Sequence, residues 1–128
     1  MTQEDRQILL KDLSSRLPYG VRYRRFAWDD KREEKCISAK IYSISPDGYV
    51  RNYHEDESDY IDNVRPYLFP LSSMTEEQEK EYNNLNCYEL GCFPHTEEAL
   101  DYLIKNHFDY RYLIEKGLAI DATGLNIY

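Results

Sequence analysis

CISAKIYSISPDGYVRNYH, residues 36–54, decides the fold. Ile37, Ala39 and Ile41 alternate with Ser38, Lys40 and Tyr42, the period of two that belongs to a strand with one buried face. SPDG at 45–48 then reads as a turn, because Pro46 presets φ and Gly48 accepts the left-handed conformation that closes a hairpin. Tyr49–His54 is the returning strand. A β-hairpin therefore stands in the middle of the chain.

Upstream, Val21 and Tyr23 alternate with Arg22 and Arg24. After the Arg24–Arg25 step Phe26 and Trp28 take over, a change of phase that predicts a β-bulge. Asp29–Lys35 is charged throughout and reads as a hairpin loop. Nearer the start, Thr2 caps a helix, with Asp5 as an imperfect capping-box partner. Its apolar stripe is Ile8, Leu9, Leu10, Leu13 and Leu17, and Pro18 and Gly20 end it.

Downstream, the acidic run 54–62 breaks the pattern, and Ile61–Phe69 supplies a last short strand. Pro66 and Pro70 each remove a backbone donor. RPYLFP is thus expected to be an edge strand or an extended crossing segment, burying Tyr67, Leu68, Phe69 and Leu71. Thr75 with Gln78 forms a capping box for a polar surface helix ending near Asn84. Asn83–His95 is irregular. Thr96 caps a helix with Ala99, Leu100, Leu103 and Ile104 on one face. Asp109 caps a last short helix that packs Tyr112, Leu113 and Ile114 and stops at Gly117.

Helical periodicity at both ends around a period-two middle gives an α+β fold. It comprises an N-terminal helix, a small antiparallel sheet of three or four strands (compatible with an SH3-like barrel) and two or three C-terminal helices. At 128 residues this is one domain, 1–128, and 13 Tyr and 4 Phe supply its large buried areas.

Charge and cysteine content narrow the class. The net charge is −8, split as +3 over residues 1–40 and −11 over 41–128. An acidic chain repels phosphates, so nucleic acid is not the expected partner. Three cysteines, an odd number, fit a reducing compartment rather than a disulfide framework. No apolar run spans a membrane, and the acidic start is unlike a signal peptide, so the expected location is cytoplasmic.

RLPYGV (16–21), PLSSMTEE (70–77) and HFDYRYLIEKGLA (107–119) together resemble a family of small uncharacterised proteins encoded by bacteriophages and mobile elements of gut Bacteroidota. The resemblance implies a phage or prophage origin. It brings no known reaction and transfers no catalytic residue.

No reactive constellation stands out in the residues themselves. Cys87, Cys92 and His95 form C-x4-C-x2-H, the nearest approach to a metal signature, but structural zinc needs a fourth ligand that only Cys36 or His107 could bring from a distance. A thiol nucleophile can be drawn from Cys92 and His95, oriented by Asp101 or Asp109, without any matching local signature. His54, Glu55, Asp56, Glu57 and Asp59 lack calcium-loop spacing. Arg22, Arg24 and Arg25 interleaved with Tyr23, Phe26 and Trp28 resemble the make-up of a single-strand platform, set against an acidic remainder. Residues 97–117 carry only Lys105, Arg111 and Lys116, too few for a DNA-reading helix.

The expectation is a non-enzymatic interaction protein without cofactor, in one version an acidic inhibitor of a host nucleic-acid enzyme. Its partner would be a host or phage protein with a basic surface, held by Glu55, Asp56, Glu57, Asp59, Tyr60 and Asp62. The alternatives are a small metal-dependent or thiol enzyme centred on Cys87, Cys92 and His95, or a single-stranded nucleic-acid binder through Arg22–Trp28. Replacing Asp56, Glu57 and Asp59 with Ser is expected to leave folding nearly untouched.

Overall fold

A computed structural model describes residues 1–28, 34–53, 58–85 and 96–128. The architecture is α+β. Helix α1 (Gln3–Arg16) leads into strands β1 (Arg22–Trp28), β2 (Glu34–Ile44), β3 (Tyr49–Asn52), β4 (Ser58–Tyr60) and β5 (Arg65–Pro70). Helices α2 (Glu76–Leu85) and α3 (Glu97–Lys105) follow, then the two-residue strands β6 (Phe108–Asp109) and β7 (Ile120–Asp121). The strand order is β4-β3-β2-β1-β5-β6, with β7 also on β5. β1 to β5 pair antiparallel, whereas β6 and β7 run parallel to β5, so the sheet is mixed and larger than three or four strands. No ladder among the described residues joins β4 to β6, and the sheet is not closed as an SH3-like barrel would be.

The helix caps form as their residues dictate. Thr2 Oγ1 accepts from Asp5 N at 3.0 Å. Thr75 and Gln78 exchange a reciprocal pair of bonds, 2.9 and 3.2 Å, and Thr96 Oγ1 accepts from Ala99 N. Residues 109–117 differ from expectation. Both oxygens of the buried Asp109 carboxylate accept from Leu113 N and Ile114 N at 2.9 Å, yet the segment makes successive turns instead of a helix. Tyr112 sits at φ +58, a left-handed conformation that a regular helix cannot contain. Among the described residues two C-terminal α-helices remain.

Strand β5, expected as an edge strand or an extended crossing segment, lies inside the sheet between β1 and β6. Its neighbours succeed one another along its length: β1 opposite Arg65 and Pro66, β7 beside Tyr67 and Leu68, β6 beside Phe69 and Pro70. Each neighbour asks for only a bond or two, such as Phe69 N to His107 O and Ala122 N to Leu68 O, both 2.8 Å. Two prolines are therefore tolerated in an interior strand because no partner needs a continuous row of donors.

The bulge also moves. β1 and β2 keep an unbroken register from Arg22↔Lys40 to Trp28↔Glu34, so Arg25 stays on the inner face with Tyr23. The register shifts instead between Ile41 and Ser43, where β2 meets β3. Val21, Tyr23, Ala39, Ile41, Val50, Ile61, Val64 and Leu68 form the inner layer, and α1 covers it with Leu9 and Leu13. Burying a leucine of this kind stabilises by about 1.5–3 kcal/mol. The buried face of α1 is Leu9, Asp12, Leu13 and Arg16, while Ile8 and Leu10 sit at its margins.

Candidate functional site

The alternation that buries Tyr23, Ala39, Ile41, Val50 and Asn52 must send their neighbours outward. The outer face of β1–β4 accordingly carries Arg22, Arg24, Lys40, Tyr42, Tyr49, Arg51 and Tyr60, with Tyr53 just past the end of β3 and Asp47 of the β2–β3 turn lining the same hollow as Tyr49 and Arg51. Tyr42, Tyr49 and Tyr53 are 56%, 46% and 65% exposed, a large aromatic surface for one pair of strands. Tyr42 meets Tyr53 edge to face at 5.1 Å, Tyr49 leans on Tyr60 at 5.3 Å, and Lys40 Nζ stands 5.2 Å over the Tyr53 ring. Arg22 is held across the sheet by Ser38, through Oγ at 2.6 Å and the carbonyl at 2.8 Å. A cation-and-ring surface has been assembled from residues of alternating strand positions.

Charge is segregated along the sheet. Glu76, Glu77, Glu79 and Glu81 of α2 with Glu97, Glu98 and Asp101 of α3 make an exposed acidic pair of helices. These two helices contact each other, and α3 packs on β6 and α1, at the far end of the strand order from β3. Here Tyr102 is pushed up to about 12 by burial and by Glu81, which accepts its hydrogen bond.

The acidic segment proposed from sequence has a different character. Glu55, Asp56 and Glu57 lie outside the described residues. Asp59 points inward, where Oδ2 accepts from Tyr23 OH at 2.5 Å and from Arg25 Nε at 2.8 Å, and Asn52 Nδ2 donates to the same Tyr23 oxygen at 3.0 Å. Burial and the adjoining Asp59 carboxylate push the Tyr23 hydroxyl far above its ordinary range, so it stays a donor. Asp62 makes a two-pronged contact with Arg6 at 2.8 and 2.9 Å, and that guanidinium holds its carboxyl below the usual range. Tyr60 is half-buried against Tyr49. Both described carboxylates are thus committed to partners within the chain.

A concavity of about 620 Å³ lies between β5 and the C-terminal turns, lined by Tyr19, Phe69, Phe108, His107, Tyr128 and Lys105 among others. His107 stacks on Tyr128 at 4.1 Å and 13°, with Nε2 3.1 Å from the Tyr19 carbonyl. That bond requires the proton on Nε2. Burial, with Arg16 nearby, lowers His107 to about 4, against the raising effect of the Tyr19 carbonyl. Its Nδ1 is buried without a partner.

Cys87, Cys92 and His95 lie outside the described residues, as do the side chains of Phe26 and Trp28. His54 and the side chain of Cys36 fall there too, whereas Asp101 is on the exposed acidic helix pair and Asp109 is committed to its turn. No three His, Cys, Asp or Glu side chains among the described residues could hold a metal ion, and no described helix is long and apolar enough to cross a membrane. The abundance of tyrosine points to an interface and makes the Tyr-rich strand faces its second candidate after the acidic segment, without showing which rings face solvent together. The signal was there in Tyr49, Arg51 and Tyr53, three alternate positions of one sequence stretch. No protein-family model matches the chain, and no curated protein or solved structure is significantly similar to it.

Proposed function

We propose that this chain is a non-enzymatic interaction protein whose contact surface is the outer face of β2 and β3. One observation carries the reading: Tyr42 and Tyr53 meet in solvent at one end of the β2–β3 pair, and Tyr49 stands exposed against Tyr60 at the other. Tyrosine brings a large rigid contact area at small entropic cost, which is why it anchors interfaces, whereas a sheet face meant only for water has no use for three such rings. The cations between them favour an anionic partner over the basic one expected from composition. A phage or mobile-element origin belongs to the proposal on the sequence resemblance alone.

The test compares the wild-type chain with Tyr42→Ser/Tyr53→Ser as bait in a lysate, analysing captured protein and nucleic acid separately. The reading expects a species recovered by the wild type and lost by the variant, with unchanged circular dichroism. Identical recoveries would remove this face as the interface.

A further inference from the structure

We infer that the outer sheet face binds single-stranded nucleic acid, an inference that rests on the interface reading above and names its partner. Tyr49 and Arg51 occupy alternate positions of β3, about 6.6 Å apart along the strand, and the exposed Tyr53 follows just past its end, giving the order ring, cation, ring. Lys40 and Tyr42 repeat the pairing on β2, and Arg22 extends the cations onto β1. A single strand is the polymer that offers both chemistries at that repeat, a base face to stack on tyrosine and a phosphate to meet the intervening cation. An acidic peptide would satisfy the cations and leave three rings without stacking partners. A duplex would satisfy the cations too, but its base faces are hidden within the stack.

The net charge of −8 does not forbid this. Its described excess is concentrated on α2 and α3, of which α3 packs on β6 and α1 and α2 packs on α3, at the far end of the strand order from β3. At physiological salt charges are screened beyond about 8 Å, so the local surface governs contact with a phosphate chain. Holding Arg22 against Ser38 further fixes one cation in place before any ligand arrives, reducing the ordering needed on binding.

Fluorescence anisotropy of a labelled 15-nucleotide oligo-dT, titrated with the full chain between 20 and 200 mM salt, tests the inference. Saturable binding is expected, with affinity falling along a log–log salt slope near −2, which is about −0.7 per phosphate for three cations. Tyr42→Ser/Tyr53→Ser should weaken binding by at least about tenfold at every salt concentration. Arg51→Ser should reduce the slope by about 0.7. Circular dichroism checks that both variants remain folded. Unlabelled duplex of the same length and poly-glutamate should compete poorly. Absence of saturable binding at 20 mM salt overturns the inference, as does duplex or poly-glutamate competing as well as oligo-dT, or a folded tyrosine variant binding like wild type. A captured protein that depends on Tyr42 and Tyr53, in a chain that ignores oligo-dT, would leave the interface standing and remove only the nucleic acid.

Discussion

Asp12 and Arg16 form an ion pair with no solvent exposure on either side chain, one helical turn apart on α1, with Nε 2.9 Å from Oδ2. Two charges in the core are expensive unless every donor is used. Arg16 also donates to the Phe108 carbonyl at 2.6 Å and reaches those of Leu103 and Ile104 at 3.5 and 3.4 Å. Those last two carbonyls close α3, where the helix dipole favours a cation. The pair thereby ties the first helix to the last. Replacing Arg16 with Met should strip Asp12 of its main counter-charge, leaving only Arg111 Nε at 3.3 Å, and cost about 3–5 kcal/mol. Asp12→Leu/Arg16→Met should cost less than that single change. Urea unfolding of the two variants decides it.

Asp59 and Asp62 sit in one acidic run of sequence but should respond oppositely to mutation. Asp59→Ser removes the acceptor shared by the buried Arg25 guanidinium and the Tyr23 hydroxyl, and losing hydrogen bonds to a charged group in a largely buried site costs about 1.5–3 kcal/mol. Asp62→Ser removes a part-exposed contact with Arg6 and should barely move the urea midpoint. The expectation that serine at Asp56, Glu57 and Asp59 spares folding is thereby corrected at Asp59. Equal midpoints for the two single variants would contradict the inward placement of Asp59.

These two networks mark where the sequence stopped being legible. Periodicity found α1, the β2–β3 hairpin and the three threonine caps, because each depends on residues a few places apart. It misjudged Arg25 as part of a phase slip, since an arginine facing the core is assigned inward only once its carboxylate, 34 positions away, is known. The same holds for Asp12 and Arg16, which look like solvent-side charges until the carbonyls of residues 103–108 arrive. Proline logic failed at β5 for a related reason. It assumes neighbours that run the whole length of the strand, and here three partners each pair with only two of its residues.

Gly48 offers a controlled measurement of packing at the hairpin turn. It adopts φ +93, and a Cβ there would lie 3.2 Å from Tyr60 Cε2 and 3.3 Å from Ile61 Cγ2. Gly117 adopts φ +73 with open space around it. Alanine at Gly117 should therefore show the left-handed penalty alone, about 1–2 kcal/mol. Alanine at Gly48 should cost more, because Ile61 is also tied to this turn by its N–H to the Gly48 carbonyl at 2.8 Å. Urea midpoints in the reverse order would mean that Tyr60 and Ile61 yield freely.

His107 should make the fold acid-sensitive well above the range in which carboxylates titrate. Its imidazole stacks on Tyr128, and burial with Arg16 nearby lowers it from 6.5 to about 4. In the unfolded chain it regains the ordinary value, so between pH 6.5 and 4 the unfolded state binds more protons. Stability is therefore full above pH 6.5 and is lost as pH falls, by about 2 kcal/mol between pH 7.5 and 5. His107 also sits at φ +61, a conformation that Asn adopts more readily than most side chains. His107→Asn is then the informative variant: it loses the ring stack and is less stable at pH 7.5, but its stability should be nearly flat down to pH 5. Urea titrations of both proteins at the two pH values give the comparison directly. If both lose the same stability across the interval, the sensitivity belongs to other groups, and the imidazole is not held neutral by the fold.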